Sequence, residues 1–92
     1  MRRIKRRLKY EVEITPSAEK DLKKIDPQQA KRVYKKIMEV LPEGAHECEL
    51  LTGEYKGQRK FEVWPYRVRF ILEKNKAKIV RIRHRKEIYR LK

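Results

Sequence analysis

Cysteine occurs once in the 92 residues, as Cys48. An internal disulfide is therefore impossible, and a zinc site built on several thiolates is excluded with it. Such sparing use of cysteine fits a reducing compartment, where the simplest role for the thiol is burial. Long hydrophobic runs are also missing. No stretch approaches the roughly 20 apolar residues that span a bilayer, and the basic N-terminus is not followed by the apolar segment of a secretory signal. The sequence thus reads as cytoplasmic, with no membrane partner. Acidic residues are scarce as well: thirteen Asp and Glu stand against twenty-seven Lys and Arg, for a net charge of +14.

The excess is not spread evenly. Residues 1–9 carry six basic side chains and no acid, residues 10–54 carry seven basic and ten acidic, and residues 55–92 carry fourteen basic and three acidic. Heat-adapted surfaces usually intermix the two signs in networks, whereas here the signs are segregated. A concentrated positive charge is tolerable on a small domain whose partner is a polyanion that releases counterions on binding. Nucleic acid is the leading candidate. Apolar residues make up 39% of the chain and charged residues 43%, but the apolar ones fall in periodic runs, which argues against disorder throughout. A chain this short builds one hydrophobic core. The expected organisation is a basic arm over residues 1–9 and a single domain over residues 10–92.

Tyr10, Val12 and Ile14 alternate with Glu11 and Glu13, the period of a half-buried strand. Thr15-Pro16 reads as an N-cap with proline at the first helical position, followed by Ala18, Leu22 and Ile25 on one face. Asp26-Pro27 repeats that signal. The second helix carries Ala30, Val33, Tyr34, Ile37, Met38 and Leu41 as its apolar stripe until Pro42 and Gly44 stop it. Strands are then expected at Leu50-Leu51 and over residues 59–64, 66–73 and 78–84, forming an antiparallel meander. The order predicts an α+β fold with both helices on one sheet face.

Alternation assigns Phe61, Val63, Val68, Phe70, Leu72, Val80 and Ile82 to the core face, with His84 on the same side in a structural role. Lys60, Glu62, Arg67, Arg69, Ile71, Ile79, Arg81 and Arg83 take the other face, which nothing earlier in the chain is left to cover. If the last hairpin sets Leu72 opposite Lys78, Arg67 meets Arg83 and Arg69 meets Arg81. Opposed like charges destabilise a sheet by up to about 1 kcal/mol, so such pairs are best maintained where an anion sits between them. Glu62 is the acid placed to neutralise Arg69 across the preceding hairpin. His46 has only its neighbours Glu47 and Cys48 as possible co-ligands, too adjacent to chelate, so no metal site is predicted.

Leu50-Leu51-Thr52-Gly53, Lys60, Tyr66-Arg67-Val68-Arg69-Phe70 and Arg83-His84-Arg85-Lys86-Glu87-Ile88-Tyr89 together resemble the RelE/ParE superfamily of bacterial and archaeal toxins, most of all its archaeal-type RelE branch. The helical hairpin before them fits the same family. The resemblance implies a toxin of a type II toxin-antitoxin system, an endoribonuclease that cuts mRNA in the ribosomal decoding site by attack of the substrate's own 2′-hydroxyl, with no metal or cofactor. It implies Lys60 as base or phosphate ligand, Arg67 as the phosphate-binding arginine after tyrosine, and Arg83 with Tyr89 as the pair that assists the leaving group and stacks on or orients the nucleotide. Arg69, Arg81, Arg85 and Gln58 join as RNA-binding residues. The chain departs from the family pattern at Gln58 and Glu62, where basic residues are common, and at Trp64-Pro65, which replaces a Gly-Asp turn. The implied partners are mRNA, ribosomal RNA and a cognate antitoxin. Competing expectations are a ParE-like inhibitor of DNA gyrase and a non-catalytic basic module that binds RNA or the ribosome.

Overall fold

The computed structural model describes residues 10–86. Tyr89 and the basic arm of residues 1–9 lie outside them. The elements run β1 (Glu11–Ile14), α1 (Pro16–Lys23), α2 (Pro27–Gly44), β2 (Glu49–Leu50), β3 (Arg59–Val63), β4 (Tyr66–Glu73) and β5 (Lys76–His84), with short 3-10 turns at Ala45–Glu47 and Gly53–Tyr55. They form the predicted α+β fold. Strands β2 to β5 make the antiparallel meander, and β1 adds to it in parallel beside β5, giving the order β1-β5-β4-β3-β2.

Both helices begin as their capping residues dictate. The Thr15 hydroxyl accepts from the Ala18 N–H at 3.3 Å and donates to the Ile79 carbonyl at 2.8 Å, so one side chain caps α1 and ties it to β5. The Asp26 carboxylate accepts from the Gln28 N–H at 3.1 Å. Pro42 does not end α2, which continues to Gly44. The Pro42 carbonyl instead accepts the Tyr10 N–H at 2.9 Å, joining the helix end to the start of the sheet.

The core gathers Ala18 of α1, Val33, Ile37 and Leu41 of α2, Val63 of β3, Val68 and Phe70 of β4, and Ala77, Ile79 and Ile82 of β5. All the described helices thus supply one sheet face. Two members of the expected α2 stripe lie outside it: Tyr34 is 48% and Met38 41% exposed. The sheet covers only the sector of the helix that presents Val33, Ile37 and Leu41, so these flanking positions face solvent.

Strand β5 also departs from simple alternation. Leu72 faces Ala77 and not Lys78, and Phe70 faces Ile79, but the next pair is Arg69 with Arg81. Val80 is the extra residue of a β-bulge. The extra residue is left unpaired and shifts the phase of alternation, so Ile79 is fully buried while Val80 is half-exposed. The two residues exchange the faces assigned from the sequence. Beyond the bulge the phase is restored, and Ile82, Arg81 and Arg83 lie on the predicted sides.

Candidate nucleic-acid interface

Strand pairing arranges the open-face side chains in two ranks across the sheet. One runs Glu49, Lys60, Arg69, Arg81 from β2 to β5, and the other runs Glu62, Arg67, Arg83 from β3 to β5. Directly opposed residues in an antiparallel pair lie about 4.5–5.5 Å apart at Cα. Arg67 therefore meets Arg83 and Arg69 meets Arg81, the pairing anticipated in the sequence but reached through the bulge. Five cations share this surface with two carboxylates.

The carboxylates are placed among the cations. Lys60 Nζ lies 3.1 Å from Glu49 Oε1 and 3.7 Å from Glu62 Oε2. Arg67 directs Nε and Nη2 at Glu62 Oε2, each at 3.4 Å. Glu62 thus bridges Lys60 and Arg67; it does not serve Arg69, because the β3–β4 register sets it opposite Arg67. Lys60 is well enclosed, with its side chain 17% exposed. Ion pairs open to water hold by about 0–1 kcal/mol, so a phosphate, which offers several oxygens to a guanidinium fork, can take the place of Glu62 on Arg67.

Arg69 has a different environment. Its Nη1 donates to Gln58 Oε1 at 2.9 Å and its guanidinium lies 4.1 Å from the centre of the Tyr55 ring. Gly53 and Gly57, both at positive φ (67° and 93°), fold the segment that carries Tyr55 and Gln58 into this position. Burial lowers the Arg69 pKa, Tyr55 raises it, and the charges of Arg81, Arg83 and Arg67 lower it again. Arg69 is thus set among three other guanidiniums. A guanidinium stays charged under such pressure.

Asp21 completes the far end of the first rank. Strand β1 pairs with β5 only as far as Ile79, and α1 covers the edge that follows. There the Asp21 carboxylate, on a residue only 7% exposed, accepts the Ile82 N–H at 2.9 Å and lies 3.8 Å from Arg81 Nε. It stands in for a strand partner and holds Arg81 in line. A polar residue within the apolar stripe of Ala18, Leu22 and Ile25 was the available signal for this role.

Of the residues singled out from the sequence, Lys60, Arg67, Arg69, Arg81 and Arg83 converge on one face, with Gln58 at its rim beside Arg69. Arg85 lies elsewhere: it follows β5 and stacks its guanidinium 4.5 Å from the centre of the Trp64 ring. His84 packs edge-on against Tyr66 at 5.3 Å, and its Nδ1 accepts the Lys86 N–H at 3.0 Å. A cavity of about 400 Å³ opens between these rings, Arg83 and the Asp21–Asp26 end of the helical hairpin. Among the described residues no three His, Cys, Asp or Glu side chains gather in a group fit for a metal ion, and no helix is long and apolar enough to cross a membrane.

Comparison with solved structures finds the same fold repeatedly. The RelBE2 toxin-antitoxin complex of Mycobacterium tuberculosis matches with a TM-score of 0.75 at 22% identity, over 86% of this chain and 94% of that one. A chain of the chromosomal ParDE system of P. aeruginosa matches at 0.65 and 21%, over 83% and 96%. YafQ of E. coli matches at 0.58 and 17%, over 87% and 98%. No curated protein gives a significant match. The model of the family described as the ParE toxin of the type II toxin-antitoxin system parDE matches residues 12–89, nearly the whole chain. The chain therefore belongs to the ParE toxin family, and with it to the RelE/ParE superfamily of type II toxins.

Proposed function

We propose that this toxin is a metal-independent endoribonuclease that cuts mRNA in the ribosomal decoding site. The observation that carries this reading is the two pairs of opposed arginines, Arg67 with Arg83 and Arg69 with Arg81, beside Lys60 on a sheet face that the described helices leave open. A phosphodiester laid along the second rank meets Arg67 and Arg83, and Lys60 approaches it from the neighbouring rank. Cleavage moves the 2′-hydroxyl proton to a base, forms the bond from O2′ to phosphorus to leave a cyclic phosphodiester, and breaks the bond from phosphorus to O5′, which takes its proton from water. Lys60, between the carboxylates of Glu49 and Glu62, serves as a phosphate ligand. Glu62 is the acceptor-only group next to it and takes the 2′-hydroxyl proton once phosphate has displaced it from Arg67. Arg83 offsets charge on the leaving oxygen, with Tyr89 orienting the nucleotide, and Arg81 and Arg69 hold the rank behind.

Ribosomal RNA and mRNA are the polyanions such a surface fits, and the basic arm of residues 1–9 adds electrostatic grip. A cognate antitoxin is the remaining partner, by analogy with the complexes that the RelBE2 and ParDE structures contain. The reaction is tested by mixing the purified protein with programmed ribosomes and mapping the message. Cuts within codons at the decoding site are expected, with naked RNA cut poorly. Intact message at every ratio of protein to ribosome sinks the proposal. The family match to ParE toxins favours gyrase inhibition as the second reading, and loss of supercoiling activity in the same preparation would establish it.

A further inference from the structure

Trp64 stands at the turn between β3 and β4, one residue past the pair Val63–Tyr66 and two past Glu62 in the second rank. The residue is 63% exposed. A single exposed aromatic is ordinary on a protein surface. What distinguishes Trp64 is how firmly it is held in water. Arg85 covers one face of the ring at 4.5 Å, the Arg32 guanidinium of α2 donates to the Trp64 carbonyl at 2.7 Å, and the Arg85 N–H donates to the Pro65 carbonyl at 2.8 Å. Arg32 is itself braced by Gln29 Oε1, at 3.0 Å from Nε and 2.6 Å from Nη2. Helix α2 and the end of β5 thus clamp the turn. With one ring face under Arg85, so high an exposure leaves the other face open.

We propose that Trp64 is a stacking platform for an unpaired nucleobase, the one attached to a nucleotide next to the phosphate gripped by Arg67 and Arg83. The inference rests on the RNA-binding reading of the open face. Strands advance about 3.3 Å per residue, which puts Trp64 about 7 Å beyond the Glu62-Arg67-Arg83 rank, within reach of a base on the same backbone. The groups fixed around the ring are guanidiniums, which attract phosphate and are poor neighbours for an apolar protein surface. Arg85 supplies a cation to the back of the ring while the front receives the base, a combination that binds single strands with little regard to sequence. Stacking at a fixed distance from the cutting site sets which nucleotide lies over Arg67 and Arg83, so Trp64 acts in positioning.

Trp64 is the only tryptophan in the chain, so its emission reports on this site alone. The full chain is titrated with a single-stranded RNA hexamer carrying 2′-deoxy sugars to prevent cleavage, and with an abasic hexamer of the same phosphate count. Quenching by the first and not by the second is expected. Anisotropy of the labelled hexamers provides the independent measure: Trp64→Leu should weaken binding of the base-bearing strand about tenfold, leave the abasic strand unchanged and preserve the salt dependence, and Trp64→Phe should retain most of the affinity. Exposure at a turn makes both variants compatible with folding, which circular dichroism checks. Wild-type binding without quenching, or Trp64→Leu binding the base-bearing strand as wild type does, overturns the platform, leaves RNA binding standing and reassigns Trp64 to a protein contact. Failure of the wild type to bind either hexamer overturns the RNA reading, and the platform falls with it.

Discussion

Arg67 and Arg69 lie two residues apart on β4 and point to the same side, yet their surroundings assign them different work. Arg67 is held by one shared carboxylate that is itself exposed, an arrangement a phosphate can replace. Arg67→Ala should lower message cleavage by about 100-fold or more, the usual loss when one oriented charge stabiliser is removed, with little change in melting temperature. Arg69 is bound to Gln58 and packed on Tyr55, contacts that anchor the segment between Gly53 and Gly57. Arg69→Ala should cost about 1–2 kcal/mol of stability, read from denaturant unfolding, because the ring contact and the hydrogen bond go together. Equal melting curves for the two variants would refute the distinction. Asp21 offers a second contrast. Asp21→Asn keeps an oxygen for the Ile82 N–H, whereas Asp21→Leu strands that buried donor and should cost about 1–3 kcal/mol.

At the scale of elements, much of the fold was legible because it is written in local patterns. Two Thr/Asp-Pro starts announce two helices, and alternation announces β1, β3 and β4. The bulge in β5 has no such mark: Ile79 and Val80 are both β-branched and apolar, so a one-residue phase change between them leaves the composition of each face plausible. Packing decides it, since the Phe70–Ile79 pair lies in the core. Ile79→Ala should therefore cost about 2–5 kcal/mol, and Val80→Ala clearly less; the reverse order in chemical denaturation would place the bulge elsewhere. The buried helix face is narrower than periodicity implies for a related reason. Periodicity identifies an apolar stripe, but only the width of the sheet decides that Tyr34 and Met38 stay outside. The parallel docking of β1 on β5 and the burial of Asp21 depend on residues more than 60 positions apart in sequence, beyond the reach of any local window. Within the interface, the cations were legible from charge and alternation. Their carboxylate partners were not, because register determines that Glu62 meets Arg67.

On the scale of the whole molecule, segregated charge becomes a two-sided body, with helices and core on one side and a cationic sheet on the other. Binding to single-stranded RNA should then follow salt steeply. For about four phosphates neutralised, log K should fall with log salt at a slope of about −3, and Arg67→Ala with Arg83→Ala together should reduce it by about 1.4. A slope that the double variant leaves unchanged would mean that the phosphates lie on another surface. The same body is closed by its first and last described strands: Glu11 sits beside Lys76, and Ile14 beside Ile79. Contacts so distant along the chain form late, after the loop between them has been closed at an entropic cost. During synthesis β1 has no partner until β5 has left the exit tunnel, and Arg81 and Arg83 arrive with that same strand. The two arginine pairs therefore exist only once β5 has joined β4, so the event that closes the body also completes its cationic face.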